Sequence, residues 1–265
     1  MNVMTRTRFD VVPLTTHIGA EIRGLDLREK PDDETIRAIY QAWLDHLVIV
    51  FPGQSLAQED FIRVTGYFGE LGELHRPAKY FPKGYSSLLP GIMLISNIRE
   101  NGEPIGALPD GEMMFHHDMI HAEVPSKGTL LYSVEIPSAG GNTLFASGYA
   151  AYDTLDPAIR SRLEGRRAMH HYNYGSTQKG DGRGTAAFGQ CTHPVFRTQG
   201  GHRQEGDLRE PADDGRHRRY AAGGERTVAQ RRVRPRREAR IRLRTRLARG
   251  RPPAVGQPLL VACAH

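Results

Sequence analysis

The chain has 265 residues, a net charge of +6 and two cysteines, Cys191 and Cys263. Its length can bury a substantial core, its lack of an 18-residue apolar run excludes a transmembrane helix, and its two cysteines exclude a disulfide scaffold and a cysteine-based zinc site. The opening residues lack the apolar region of a secretory signal, so we expect a cytoplasmic protein.

The net charge hides a sharp change in composition near residue 200. Residues 1–200 carry 19 basic and 23 acidic side chains, whereas residues 201–265 carry 17 arginines and 7 acidic side chains. The second stretch contains no Phe, Met or Trp and a single tyrosine, Tyr220. We therefore predict a folded domain over 1–198 and an Arg-rich, disordered tail over 199–265.

Up to residue 90 the sequence predicts strands and helices in alternation. In chain order these are a strand at 9–13, a strand at 19–27, a helix from Asp32 to Leu44, a strand at 47–51 and a helix opened by Ser55. The first helix is indicated by a capping aspartate followed by apolar residues at helical spacing. The run at 47–51 is continuously apolar and is closed by Pro-Gly, which is typical of a buried strand.

Beyond residue 90 the predicted strands outnumber the helices. Residues 97–114 carry Gly and Pro without any period, and they predict a long functional loop. Strands are predicted at 129–136 and 143–146, and Asp156-Pro157 opens a further helix. The pattern favours a mainly β fold with flanking helices.

One short motif, Phe115-His116-His117-Asp118, carries chemistry. If it lies on a strand, His116 and Asp118 share one face and His117 takes the other. An imidazole and a carboxylate are two of the three donors of the 2-His-1-carboxylate triad, which holds Fe(II) and leaves positions open for substrate and dioxygen. Since the chain has 12 histidines, a chance His-x-Asp is the alternative.

Further motifs accompany this one in a fixed order. They are Ile-Gly-Ala-Glu-Ile-Arg-Gly-Leu-Asp-Leu at 18–27, Phe-Gly-Glu-Leu-Gly-Glu-Leu-His at 68–75, the Gly-Gly-Asn-Thr-Leu-Phe segment within 137–152, and Thr-His-Pro-Val-Phe-Arg-Thr at 192–198. Together they resemble the taurine/2,4-D dioxygenase (TauD/TfdA) family of Fe(II)- and 2-oxoglutarate-dependent oxygenases. The resemblance covers about residues 8–198.

The resemblance implies a fold and a set of site residues. The fold is a double-stranded β-helix, or jelly roll, with flanking helices. His116 and Asp118 match two iron ligands, and Thr143 matches the threonine that contacts the 2-oxoglutarate carboxylate. His75 falls where some members contact an anionic substrate group, although an ordinary surface histidine is an equal alternative. Of the remaining histidines, His193 is assigned a structural role, while His117 and His121 are expected to be structural or to contact the metal ligands rather than bind the metal.

The resemblance also implies an activity. We expect an oxidoreductase that hydroxylates a small, anionic organic substrate with dioxygen, releasing succinate and CO2, with Fe(II) as cofactor and 2-oxoglutarate as co-substrate. No membrane partner is expected, and a homo-oligomer is left open. The Arg-rich tail offers nucleic-acid binding as a different function. Against that alternative, the tail has no recognised nucleic-acid-binding motif and one aromatic residue for base stacking.

The resemblance stops after residue 198, which leaves the C-terminal part of the jelly roll incomplete. The family continues with a Trp-Asp-Asn-Arg motif, a second iron histidine seven residues after that Trp, and an arginine for 2-oxoglutarate; none is present in this frame. With permitted codons, a one-base shift from position 255 can read Trp-Asp-Asn-Arg-Cys-Ser-Leu-His. We therefore predict a frameshift near 198–201, and a catalytically inactive family member is the resulting alternative.

Overall fold

The structure is a computed structural model that describes residues 9–72, 88–96, 98–105, 115–135, 139, 142–171, 190–198, 219–221 and 257–263. Its elements, in chain order, are β1 (Asp10–Pro13), β2 (Ala20–Arg23), α1 (Asp33–His46), β3 (Val48–Gln54), α2 (Gln58–Thr65), β4 (Arg99–Glu100), β5 (Glu103–Pro104), β6 (Gly128–Tyr132), α3 (Gly148–Asp153), α4 (Pro157–Leu163), β7 (Arg167–His171), β8 (Gln190–Pro194), β9 (Phe196–Thr198), β10 (Arg219–Ala221) and β11 (Gln257–Cys263). Within these ranges, none of the helices has the length and apolar character needed to cross a membrane.

Helix α1 begins where its capping residue predicts. The Asp32 carboxylate accepts a hydrogen bond from the Thr35 backbone N–H at 2.9 Å, which satisfies a donor that the first turn leaves open. The helix ends at His46, and its C-cap Leu47, with a φ of 65°, turns the chain directly into β3. The Leu47 N–H donates to the Trp43 carbonyl at 2.7 Å, so the last turn of the helix is closed.

The main sheet has five strands in the order β1-β2-β3-β11-β6. Strands β2 and β3 are parallel, and the other neighbouring pairs are antiparallel. The apolar run predicted as a buried strand forms the first part of β3, where four successive residues are buried. That prediction is confirmed.

The hydrophobic core lies where α1 and α2 pack on β2 and β3. Trp43 and Phe51 are fully buried, and Trp43 meets Phe68 edge-to-face with ring centroids 5.3 Å apart. Tyr40 adds a second edge-to-face contact with Trp43 at 5.4 Å. This half of the domain therefore has a conventional packed core, and it supports the sheet that carries the candidate site.

Several predicted elements differ from the structure. The predicted strand at 129–136 is the shorter β6, and the predicted strand at 143–146 is absent, because residues 142–147 form an irregular segment that leads into α3. Within the predicted loop 97–114, β4 and β5 form a hairpin across Asn101 and Gly102, which both have positive φ. An Asn-Gly pair between paired strands is the strongest short-range hairpin signal, and the sequence analysis missed it.

The tail contributes strands that the sequence analysis did not expect. Three of its residues, 219–221, pair with β9, and seven, 257–263, form β11 between β3 and β6. The other residues of 199–265 lie outside the described residues, so the domain boundary at 198 stays a prediction. The mainly β architecture with flanking helices is as expected. The closed double-stranded β-helix stays a prediction too, because the described strands form one five-stranded sheet and three two-stranded ones.

Candidate metal site

His116 and Asp118 lie side by side in a tight turn that precedes β6. Residues 116–122 are not a strand, since Met119 has a φ of 56° and the Ala122 N–H donates to the Met119 carbonyl at 2.9 Å. The two side chains still face each other, with His116 Nε2 3.0 Å from Asp118 Oδ1. The expected juxtaposition is therefore present, but a turn produces it rather than strand alternation.

The Asp118 carboxylate is held through both of its oxygens. Oδ1 faces His116 Nε2, and Oδ2 accepts a hydrogen bond from the Thr129 hydroxyl on β6 at 2.6 Å. The hydrogen bond with His116 and then that from Thr129 lower the pKa of this carboxyl, against burial, which raises it. The group is therefore an anion at neutral pH, as a metal ligand must be.

Two buried histidines contact backbone carbonyl groups of the turn. His117 is 5% exposed, and its Nδ1 lies 3.0 Å from the Asp118 carbonyl oxygen, so Nδ1 carries the proton and donates it. His193, on β8, is 7% exposed and its Nε2 lies 2.9 Å from the Ala122 carbonyl oxygen. The same strand pair brings His170 beside His193, with ring centroids 5.8 Å apart. These contacts favour the structural roles predicted for His117 and His193.

The pair at His116 and Asp118 fits two neighbouring positions of an iron site. Imidazole nitrogen and carboxylate oxygen are the donor types of the facial triad. Donors at right angles on one metal, with bonds of about 2.1 Å, lie about 3 Å apart, and the observed separation is 3.0 Å. Both side chains are partly open to solvent, at 49% and 42% exposure. An ordinary hydrogen-bonded ion pair has the same geometry, so the pair alone does not establish a metal.

A third donor is missing from the described part of the chain. Across those residues no group of three His, Cys, Asp or Glu side chains could hold a metal ion. The donor set therefore fits iron in type and spacing but supplies two of the three ligands that the facial triad needs.

The roles of the other predicted site residues, Thr143 and His75, stay predictions. Thr143 is exposed, in the irregular segment before α3, and the structure places it outside hydrogen-bond contact with His116 and Asp118. His75 lies outside the described residues. Conversely, sequence reasoning missed Thr129, because nothing in its strand pattern indicates which loop side chain its hydroxyl meets.

The family follows from comparison with known proteins. The model of the taurine catabolism dioxygenase TauD, TfdA family matches residues 10–246, which is most of the chain. The chain belongs to the TauD/TfdA family. The match runs past residue 198, where the sequence analysis expected the resemblance to end. Members of the family depend on Fe(II) and 2-oxoglutarate, as expected from the motifs.

Curated TauD/TfdA relatives include enzymes with different substrates. The chain is 30% identical over 172 residues to the (S)-phenoxypropionate/alpha-ketoglutarate-dioxygenase of Sphingobium herbicidovorans, covering 65% of this chain and 56% of that protein. It is 37% identical over 161 residues to pentalenolactone F synthase of Streptomyces avermitilis, covering 60% and 51%. The chain thus spans little more than half the length of these relatives.

Solved structures share the fold. A taurine dioxygenase from Burkholderia xenovorans superposes with a TM-score of 0.63 at 20% identity, covering 97% of this chain and 81% of that one. AAD-2, solved in complex with Mn(II) and N-oxalylglycine, gives a TM-score of 0.56 at 21% identity, covering 82% and 69%. At this identity the likeness concerns the fold alone.

Proposed function

We propose that this TauD/TfdA chain is an Fe(II)- and 2-oxoglutarate-dependent dioxygenase that hydroxylates a small, anionic organic substrate and releases succinate and CO2. The observation that carries the proposal is the His116–Asp118 pair, whose donor atoms are 3.0 Å apart. The pair belongs to the motif that resembles the family's iron-binding motif, in a chain that the family model matches over residues 10–246.

Each proposed site residue has a distinct role. His116 and Asp118 would hold Fe(II), while the Thr143 hydroxyl would donate to a 2-oxoglutarate carboxylate. His75 would contact an anionic group of the substrate. When bound, iron and 2-oxoglutarate supply the chemistry that oxidises a C–H bond with dioxygen, and the protein's part is to orient the substrate and exclude side reactions.

Three of the relatives support an anionic substrate. Besides the phenoxypropionate enzyme, they include a 2,4-dichlorophenoxyacetate dioxygenase of Cupriavidus pinatubonensis and a sulfate ester dioxygenase of Pseudomonas putida. Those substrates are carboxylates and a sulfate ester, and they share a negative charge. A cytoplasmic location and the lack of a nucleic-acid partner remain predictions of the same proposal.

The second candidate is a family member that does not turn over. It is favoured by the absence of a three-donor cluster in the described residues and by the Arg-rich composition after residue 200. A site with two protein ligands selects iron poorly, because three fixed donors define the facial geometry. A single frameshift near 198–201 would account for both observations.

The first test is the DNA sequence across codons 195–205 and beyond the stop. If a base is missing or extra there, correcting it should restore the second histidine. The corrected chain should then form succinate in the presence of dioxygen, Fe(II), 2-oxoglutarate and an aryloxy- or alkyl-anion substrate. His116→Ala in the corrected chain is the control and should abolish that product. If the frame is confirmed as given and the chain forms no succinate above the His116→Ala background, the second candidate is correct.

A further inference from the structure

A threonine on the main sheet contacts the carboxylate of the proposed metal site. The Thr129 hydroxyl donates to Asp118 Oδ2 at 2.6 Å, whereas Asp118 Oδ1 lies 3.0 Å from His116 Nε2. The two oxygens of one carboxylate therefore have different partners. One oxygen is held by the sheet, and the other faces the imidazole.

Thr129 lies in a regular strand, whereas the carboxylate that it contacts sits on a turn. It lies within β6, which pairs along its length with β11, and a β-branched side chain has few accessible χ1 rotamers. Asp118 instead precedes Met119, whose positive φ is uncommon for a residue other than glycine. The hydrogen bond thus joins the turn to a strand of the main sheet.

The chemistry of this bond gives it a direction. A hydroxyl that meets an ionised carboxylate must donate, and such a charge-assisted O–H bond is short and strong. It occupies Oδ2 and leaves Oδ1 as the oxygen on the imidazole side. Hydrogen bonds of this kind orient ligating carboxylates, and losing one typically weakens metal binding by about 10- to 100-fold.

We propose that Thr129 is a positioning residue of the metal site, whose hydroxyl holds Asp118 so that Oδ1 and His116 Nε2 face the same metal ion. The inference rests on the proposed function, since it takes His116 and Asp118 to be ligands. It assigns a role to a residue eleven positions away in sequence from the carboxylate it holds.

The test is a titration of the full chain with Co(II) alone, followed by the visible absorption bands of the bound ion. Thr129→Val keeps the side-chain shape and removes the hydroxyl, and we expect about 10- to 100-fold weaker binding. Thr129→Ser keeps the hydroxyl and should retain most of the wild-type affinity. Thr154→Val makes the same chemical change at an exposed hydroxyl that donates to the Ala150 carbonyl, and it should leave the affinity unchanged.

Equal Co(II) affinity in Thr129→Val and wild type would overturn the inference, as would a Thr129→Ser variant as weak as Thr129→Val. If valine disturbs folding in a thermal melt without metal, the pair Thr129→Ala and Thr129→Ser, which differ by one oxygen, replaces it with the same expected contrast. Asp118→Ala tests the proposed function separately from the role of Thr129. A wild-type affinity in this variant would place the metal elsewhere and overturn the proposed function itself.

Discussion

At the scale of single residues, neighbours that are close in sequence lower the pKa of carboxyl groups in this chain. Arg28 reaches back to Asp26 with three side-chain hydrogen bonds, and the shortest of them is 2.6 Å. Its hydrogen bonds lower the pKa of the Asp26 carboxyl to about 2. The same logic applies to Asp118, where a histidine two residues away outweighs the cost of burial.

The Asp26 ion pair predicts a pH dependence of stability. Because its pKa is lower in the folded state than in the unfolded state, ionised Asp26 contributes stability above about pH 4 that is lost as the pH falls toward 2. Asp26→Asn should therefore be less stable than wild type at pH 6, and the difference should narrow at pH 3. Urea unfolding midpoints measure it.

Asp153→Asn makes the same change on an exposed carboxylate of α3 and serves as the control for the Asp26 variant. The difference in urea unfolding midpoint between Asp153→Asn and wild type should not narrow between pH 6 and pH 3 as it does for Asp26→Asn. A gap between wild type and Asp26→Asn that stays constant from pH 6 to pH 3 would contradict the assignment. The pair is exposed, so we expect a small effect throughout.

At the scale of elements, one arginine joins a helix to a loop. Arg63, on α2, donates to the carbonyl oxygens of Leu27 at 2.8 Å and Arg28 at 3.1 Å. It also donates to Asp60 Oδ1 at 2.8 Å and to the Tyr67 hydroxyl at 2.6 Å. Leu27 O, Arg28 O and Asp60 Oδ1 share the two hydrogens of Nη2, and the Tyr67 hydroxyl accepts from Nη1. The two separate amino groups of a planar guanidinium can span these acceptors, which a single ammonium group cannot.

Arg63→Lys should therefore lower stability although the charge is kept. Losing two or three of these hydrogen bonds costs on the order of 1–3 kcal/mol in the free energy of unfolding, measured by urea denaturation. Arg37→Lys, the same substitution on α1, should change it by less. Equal losses in the two variants would show that the hydrogen bonds of Arg63 add nothing beyond its charge.

At the scale of the whole molecule, β11 brings a remote position to the site. In the register of the main sheet, Ala262 pairs with Thr129, the residue whose hydroxyl holds Asp118. The shifted reading that starts with Trp at position 255 has its histidine at this same position, 262. We therefore predict position 262 as the place of the third donor.

Ala262→His should accordingly strengthen metal binding. Directly paired residues of an antiparallel ladder present their side chains to one face, so the new imidazole would share the face of Thr129. We expect Co(II) to bind more tightly than to wild type. Val261→His, one position along the strand and on the opposite face, is the matched control and should give no gain. Equal affinities in the two histidine variants would contradict the predicted position.

Parts of the fold and of the site could be predicted from the sequence because their signals are local. The buried run that opens β3 and the cap at Asp32 each depend on a few adjacent residues, and both are present. His116 and Asp118 come from one motif, and a two-residue separation keeps them close in a turn as well as in a strand. The Asn101-Gly102 hairpin was equally local but was overlooked.

Other features depend on contacts between distant segments. Residues 259–263 form a short apolar run in an otherwise Arg-rich tail, a local strand signal that the sequence analysis overlooked, but the run alone does not indicate its partners. They form a strand because β3 and β6 offer unpaired backbone groups on either side, and a strand between them satisfies both edges. The contact between Thr129 and Asp118 likewise requires β6 to lie against the turn that carries Asp118.

The sequence by itself determined the family, its Fe(II) and 2-oxoglutarate chemistry, and two candidate metal ligands, because these depend on motifs whose residues are close together. Only the tertiary structure decided which residue holds the carboxylate and which strand completes the sheet beside it. The physical reason is that burial and the pairing of backbone groups select the hydrogen bonds and the strand register between distant segments. A short stretch of sequence does not determine which distant segment it will meet.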